Sequence, residues 1–152
     1  MSIRVPPKGT RGTPFPRFLS KFANRLVVRQ FRRGGARTQG GDKTLLLETV
    51  GAHSGQRRQA VLGFLEEPLG SWLVIASAAG ASWHPAWFHN LARQPDATIE
   101  FEDGHRIPVR AESLEGGELA SAWEQIAREA PEYVEYRSKT DRDIPVVRLR
   151  PR

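Results

Sequence analysis

The stretch Thr44–Arg58, TLLLETVGAHSGQRR, constrains the fold more than any other, because it encodes a strand, a turn and the start of a return strand. Leu45, Leu46 and Leu47 form an apolar run closed by Val50, and Gly51 and Gly55 bracket the turn. A buried strand therefore enters a hairpin whose return strand begins near Arg58. In that geometry the backbone N–H groups of the turn and the Ser54 hydroxyl lie at a sheet edge beside Arg57 and Arg58, the donor set that anionic oxygens need. A solvated basic hairpin presents the same residues, and the stretch alone does not choose between the two.

The flanking stretches set its context. Residues 1–14 place Pro6, Pro7, Gly9, Gly12 and Pro14 among Arg4, Lys8 and Arg11, have nothing apolar to bury, and are expected as a mobile basic tail. From Pro14 to Arg33 the spacing predicts a helix, with Phe15, Phe18, Leu19, Phe22 and Leu26 on one face and Arg17, Lys21, Arg25 and Arg29 recurring every fourth residue beside it. Such a face either covers a domain core or, with its basic border, lies on anionic lipid. Gly34, Gly35, Gly40 and Gly41 then form a link into the first strand. A phosphate-binding P-loop is not read there, because Gly40 is followed by Gly41-Asp42-Lys43 and the strand comes after the glycines.

Beyond the hairpin, Ala60–Leu65 continues as strand, and Glu66 to Gly70 turns into a further apolar strand over Trp72–Ser77. The small residues Ala78-Ala79-Gly80-Ala81 permit a sharp turn or a close backbone approach. A short helix is expected from Pro85 to Arg93, stopped by Pro95. Ala97–Phe101 and His105–Glu112 read as a hairpin across Asp103-Gly104. Leu119, Trp123, Ile126 and Ala130 share a helical face that Pro131 ends, Tyr133 and Tyr136 follow on a short helical piece, and Pro145–Leu149 offers a last strand. Strands joined by tight turns favour an antiparallel sheet curled into a small barrel with helices outside it, an α+β architecture, over alternating βαβ units. The expected units are thus the tail over 1–14, an amphipathic helix and linker over 15–41, and a barrel domain over 42–152.

Charge and composition narrow the chemistry. The net charge of +6 belongs to one end: residues 1–43 carry eleven Lys or Arg against Asp42 alone, and the remainder carries twelve basic and sixteen acidic residues. A basic arm of this kind attracts nucleic acid, anionic lipid or an acidic partner by the same Coulomb attraction. Nucleic acid is the least favoured, because the aromatic residues of the arm share a helical face instead of being displayed for stacking. There is no cysteine, which excludes disulfides, thiolate metal sites and a cysteine nucleophile. No apolar run approaches the roughly 18 residues of a membrane span, so a cytoplasmic product is expected, at most peripheral at the inner face of the membrane.

Other candidate chemistry is weak. His84 and His89 lie roughly 140° apart on a helix, and with His53 and His105 they form no recognised ligand pattern, so no metal site is read. Gly51-Ala52-His53-Ser54-Gly55 does not match the nucleophile elbow of hydrolases. Trp83, Trp87 and Phe88 with Asn90 form either core or a flat apolar wall suited to a planar ring. Tyr133 and Tyr136, three residues apart, either satisfy buried hydroxyls or present donors to a substrate oxygen.

Taken together, these segments resemble the deazaflavin-dependent nitroreductase family, split β-barrel oxidoreductases of flavin-reductase-like architecture that use coenzyme F-420, an 8-hydroxy-5-deazaflavin. The resemblance is carried by Gly51 with Ser54-Gly55-Gln56 and Arg58, by Ala76-Ser77, Gly80-Ala81, Pro85, Trp87 and Asn90-Leu91, and by Tyr133, Tyr136, Thr140-Asp141-Arg142 and Ile144-Pro145-Val146-Val147, over about residues 42–148. It implies cofactor-binding roles for His53, Ser54, Gly55, Gln56, Arg57 and Arg58 at the phosphate and acidic tail. It also implies that Ala76, Ser77, Ala78, Ala79 and Gly80 lie along the ring, with Trp87 and Asn90 supporting the pocket. Hydride would pass to a quinone-like or nitroaromatic acceptor lined by Ser77, Tyr133 and Tyr136, with Tyr133 or Ser77 assisting protonation as the catalytic residues. The resemblance further implies contact of the amphipathic helix with a membrane surface. Two departures remove cations from the family pattern: Ala52-His53 stands where Arg-Lys is usual, and Ala78 where Lys is usual, while Arg57 replaces a common Pro. Those departures favour an alternative on the same barrel, a non-catalytic lipid or fatty-acid carrier; a flavin mononucleotide (FMN) reductase is a further alternative, because related barrels bind flavins. The oligomeric state is left open.

Overall fold

The leucine run becomes β1 (Thr44–Val50), and its three leucines are buried for two different reasons. Leu45 and Leu47 point into a core shared with Val74, Phe88, Leu91, Ile99, Val109 and Leu149, whereas Leu46 points the other way, onto Phe31 and Val61. A strand alternates its faces, so a continuous apolar run means that both faces are covered. The computed structural model describes residues 3–14, 17–33 and 43–152.

The remaining strands are β2 (Arg57–Gly63), β3 (Leu65–Glu66), β4 (Trp72–Ile75), β5 (Asp96–Phe101), β6 (Arg106–Ser113) and β7 (Val146–Pro151). They form one antiparallel sheet in the order β2-β1-β5-β6-β7-β4-β3. The β1–β2 hairpin sets Val50 opposite Arg57, and the β5–β6 hairpin turns at Gly104, whose φ of +88° suits glycine. The sheet curls until β2 approaches β4, two strands far apart in the order, and closes a split barrel around the first core. Its last strand, β7, sits between β6 and β4 and joins the two halves.

Among the described residues four helices lie outside the barrel: α1 (Arg17–Arg32), α2 (Ala86–Arg93), α3 (Gly116–Glu129) and α4 (Glu132–Ser138). α3 and α4 bring Trp123, Ile126 and Tyr133 onto Leu65, Leu73, Ile75 and Val146, a second apolar layer on the outer face of the sheet. α2 starts after Pro85 and puts Trp87, Phe88 and Leu91 into the barrel core. The element order matches the expectation, with one break: the return strand splits at Phe64 into β2 and β3.

Two expectations about the N-terminal end are corrected. Of the expected apolar face of α1 only Leu26 is among the described side chains, and it is 61% exposed; the described side chains that meet the barrel are Val27, Val28 and Phe31, with Asn24 donating to the Gln59 carbonyl at 2.7 Å. Side chains 15–22 and the linker 34–42 lie outside the described residues. Residues 3–14, expected as a mobile tail, run along the protein as a strap, with Gly9 N–H donating to the Ser82 carbonyl at 2.8 Å and Thr13 N–H to the Gly80 carbonyl at 2.9 Å. Apart from Ile3, which packs against the first core, this segment is held by hydrogen bonds, which a reading based on hydrophobic pattern does not detect.

Candidate functional site

The turn after β1 is built from its own polar groups. Gly51 N–H donates to the Gln56 carbonyl at 2.7 Å, and Gly55, at φ +69°, donates back to the Gly51 carbonyl at 3.0 Å. Ser54 Oγ accepts from Gln56 N–H at 3.2 Å and from Arg58 Nη2 at 3.3 Å. With both acceptor positions of that oxygen in use, the Ser54 O–H is left to donate outward. A side chain at Gly51 would meet Ser54 Oγ at 2.6 Å, so glycine is required for the turn to close on the serine.

A cavity of about 480 Å³ opens over this turn, lined by Gly51, Ala52, His53, Ser54, Gly55 and, from the last turn of α2, Arg93 with Gln94. Arg93 was not singled out from the sequence. It is exposed and forms no ion pair among the described residues, so its charge is available to a ligand. Arg57 instead reaches back to Glu48 at 4.0 Å, which reduces what it can offer in place of the missing cations at Ala52 and His53. Nothing in the local sequence distinguishes Arg93, because only the packing of α2 across β1 brings it to the turn.

Asn90 joins the turn to the barrel. It is buried, accepts Ala52 N–H at Oδ1 (2.9 Å) and donates from Nδ2 to Thr49 Oγ1 (3.1 Å). Its amide is thereby spent on shaping the turn. Trp87, 8% exposed, packs in the barrel core together with Ala76.

The segment expected along the ring departs from regular geometry. β4 ends at Ile75, and a 3-10 turn follows at Ala78–Gly80, with Ala78 at φ 44° and Ala79 at φ 54°. Left-handed backbone at non-glycine residues is uncommon and concentrates at functional sites. Ser77 precedes them in right-handed geometry, and an αR residue followed by αL residues gathers successive N–H groups on one concave side. Ala76 and Ser77 are buried, whereas Ala78 and Ala79 are half-buried.

The tyrosines lie beside that loop. A side chain at Gly80 would come within 2.8 Å of the Tyr136 carbonyl, and the Tyr133 and Tyr136 rings meet edge to face at 6.0 Å. Tyr133 is 3% exposed within the outer apolar layer, and Tyr136 is half-buried at its edge. Burial raises both phenol pKa values, so both hydroxyls keep their protons at neutral pH.

Behind the loop lies a cluster whose role the sequence did not reveal. Arg142, 5% exposed, donates from Nε to the Ala81 carbonyl (2.7 Å) and from Nη2 to the Ser77 carbonyl (2.7 Å), and its Nη1 faces His84 Nδ1 at 3.1 Å. His84 Nε2 lies 2.7 Å from the Pro6 carbonyl. Because arginine only donates, His84 accepts at Nδ1 and carries its proton at Nε2. Burial lowers the Arg142 pKa to about 10, which leaves it charged at neutral pH, and lowers that of His84.

The family model for F420H(2)-dependent quinone reductase matches residues 22–151. The F420H(2)-dependent quinone reductase Rv1261c of Mycobacterium tuberculosis is 36% identical over 121 residues, spanning 77% of this chain and 79% of that protein. The solved structure of an F420-H2 dependent reductase, FDR-A, superposes with a TM-score of 0.63 at 32% identity, covering 75% of this chain and 99% of that one. HutZ, the heme storage protein from Vibrio cholerae, shares the fold at a TM-score of 0.56 and 22% identity, covering 82% of this chain and 87% of that one.

Proposed function

The chain belongs to the F420H(2)-dependent quinone reductase family, and from that membership we propose how its own residues divide the work of reducing a quinone with coenzyme F-420. It is an oxidoreductase of that family, and the carrier and flavin mononucleotide readings give way to it.

The observation that carries the assignment of the site is the turn. Ser54, whose O–H is left to donate, and Arg93, which forms no ion pair among the described residues, line a cavity large enough for an acidic group, and the Arg58 guanidinium is bonded to the same serine oxygen. These donors fit the phosphate and acidic tail of the coenzyme, with Gly55 and Gln56 shaping the approach, His53 at the rim and Arg57 as a secondary cation. Arg93 takes over part of the charge missing at Ala52-His53. The concave N–H face of Ser77, Ala78 and Ala79 fits the ring edge, where oxygen and nitrogen acceptors need donors, and needs no lysine at 78. Ala76 and Gly80 complete that wall, while Trp87 and Asn90 act from behind, through the core and the turn.

When bound, the reduced coenzyme supplies a hydride to the acceptor. The chain's part is to hold the acceptor, keep water out and deliver one proton, which turns a quinone into a hydroquinone. Charge developing on the quinone oxygen is met by a protonated hydroxyl. Tyr136 is the more exposed phenol of the pair, Tyr133 holds it edge-on from the buried side, and Ser77 stands at the start of the loop. Nitroaromatic compounds present the same oxygen acceptors and are proposed as further substrates.

A membrane surface is a second partner in this reading. Leu26 is exposed on α1 beside Arg25 and Arg29, and quinones partition into lipid. Among the described residues no helix is long and apolar enough to cross a membrane, so the contact would be peripheral.

Titration of oxidised coenzyme F-420 by fluorescence tests the site. Binding at micromolar or tighter concentration is expected, with Arg58→Ala and Arg93→Ala each weakening it about tenfold, equivalent to about 1.4 kcal/mol. Absence of binding at high micromolar coenzyme sinks the assignment. Sedimentation with anionic vesicles that is unchanged by Leu26→Glu and by charge reversal at Arg25 and Arg29 removes the membrane contact.

A further inference from the structure

Every carbonyl from Ser77 to Ser82 accepts a hydrogen bond. Two are satisfied within the loop: Ser77 from Gly80 N–H at 2.8 Å and Ala78 from Ala81 N–H at 3.0 Å. Arg142 takes Ser77 again and Ala81, both at 2.7 Å. The strap takes the rest, with Thr13 Oγ1 donating to Ala79 at 2.8 Å, Thr13 N–H to Gly80 at 2.9 Å and Gly9 N–H to Ser82 at 2.8 Å. By contrast, the N–H groups of Ala78 and Ala79 donate to no backbone carbonyl among the described residues. The loop is thus gripped by its acceptors and keeps the Ala78 and Ala79 donors open.

The grip has two jaws with different chemistry. Arg142 is a buried cation that forms no ion pair with any carboxylate among the described residues, an expensive arrangement whose return is a planar fork bridging both ends of the loop. The neighbouring carboxylate, Asp141, is committed to the other jaw. It accepts from Thr10 N–H at 2.8 Å, Arg11 N–H at 2.9 Å and the Thr10 hydroxyl, and those bonds hold its pKa down to about 2. Thr140 Oγ1 donates to the Arg11 carbonyl at 2.7 Å, and His84 reaches the Pro6 carbonyl. The fit is tight: a side chain at Gly12 would lie 2.4 Å from Ser82 N, and one at Gly9 2.5 Å from the Asp141 carboxylate.

We propose that residues 6–13 and Arg142 form a two-sided clasp that holds loop 77–82 with its Ala78 and Ala79 N–H groups presented to the deazaflavin ring, which makes Thr13 and Arg142 positioning residues for quinone reduction. This rests on the assignment of that loop to the ring. The physical reason is that consecutive left-handed alanines are strained, and a strained loop keeps its shape only where its surroundings overdetermine it. Six satisfied carbonyls supply that constraint. An N-terminal segment that composition reads as a tail is in this view part of the cofactor site.

The test uses the full chain and the variants Thr13→Val, Gly12→Val and Arg142→Lys. Amide hydrogen exchange at Gly80 and Ala81 without coenzyme tests the clasp itself: Thr13→Val and Gly12→Val are expected to speed exchange at least tenfold while the melting temperature of the barrel stays within a few degrees. Unchanged exchange overturns the clasp. Coenzyme fluorescence and menadione reduction test its purpose, with an expected tenfold or greater loss in coenzyme affinity or kcat in Gly12→Val and an unaltered KM for the quinone. Arg142→Lys, which keeps the charge and loses the fork, is expected to resemble Gly12→Val. Faster exchange with wild-type binding and kcat overturns the positioning role. If the wild-type chain itself does not bind the coenzyme, the assignment of the ring site fails, and with it the positioning role, while the exchange result still decides the clasp.

Discussion

At the scale of single residues, two buried side chains translate sequence into site geometry. Asn90 looks from the sequence like a pocket residue, but its amide is consumed by Ala52 N–H and Thr49 Oγ1. Asn90→Ala leaves those groups without a partner and is expected to lower stability by about 1–3 kcal/mol in chemical denaturation, and to weaken coenzyme binding through the turn. His84 is the pH-sensitive residue. It faces the Arg142 guanidinium and the His89 ring, with Phe88 packed against it and the Pro6 carbonyl as its acceptor. A second proton would set one N–H against another cation. Its pKa is lowered on folding, so the stability it contributes is complete above the ordinary histidine value of 6.5 and is lost as pH falls below it. Wild-type stability should therefore decline as pH falls below about 6.5, and His84→Phe should flatten that decline while lowering the plateau by about 1–3 kcal/mol, the cost of leaving an Arg142 N–H without its acceptor.

At the scale of elements, α1 separates what periodicity can and cannot say. The periodicity correctly predicts a helix, because an amphipathic stripe needs only local spacing. The contact surface depends on what the barrel offers, and Leu46 and Val61 on the outer face of β1 and β2 select Val27, Val28 and Phe31. Phe31→Ala should cost about 3–5 kcal/mol because the ring is 3% exposed, whereas Leu26→Ala, 61% exposed, should change stability by less than about 0.5 kcal/mol. Equal effects in denaturant unfolding would mean the helix docks by another face. The hairpin of β1 and β2 was legible throughout, since its leucines, its glycines and its arginine pair all act within fifteen residues.

At the scale of the whole molecule, one charged network ties together segments that no local pattern relates. Arg148 on β7 reaches Glu67 at 2.7 Å, Glu112 at 3.2 Å and Glu118 at 2.7 Å, and Arg150 joins Glu112 at 2.7 Å. It links the turn after β3, strand β6 and helix α3 across the seam where β7 closes the sheet. Arg148→Met leaves the half-buried Glu67 without its cation and the buried Glu112 with Arg150 alone, and is expected to cost about 3–5 kcal/mol in denaturant unfolding. The arginine hydrogen bonds lower both carboxyl pKa values, so this contribution is present above the ordinary value of 4.5 and fades as pH falls through the lowered ones. The stability difference between wild type and variant should accordingly be largest near neutral pH and shrink as pH falls below about 4.5.

The sequence by itself determined the elements and the tight turn after β1, because strands, helices and tight turns answer to spacing over a few residues. It also carried the family, through motifs whose order and spacing survive translation into structure. Only the tertiary structure decided which cations meet the turn, which face of α1 is covered, and that the N-terminal strap and Arg142 grip the loop after β4. Each of those depends on contacts between residues far apart in the chain, Thr13 with Ala79 and Ser77 with Arg142 among them. Such pairings leave no periodicity to read, since the groups that meet are backbone carbonyls common to every residue.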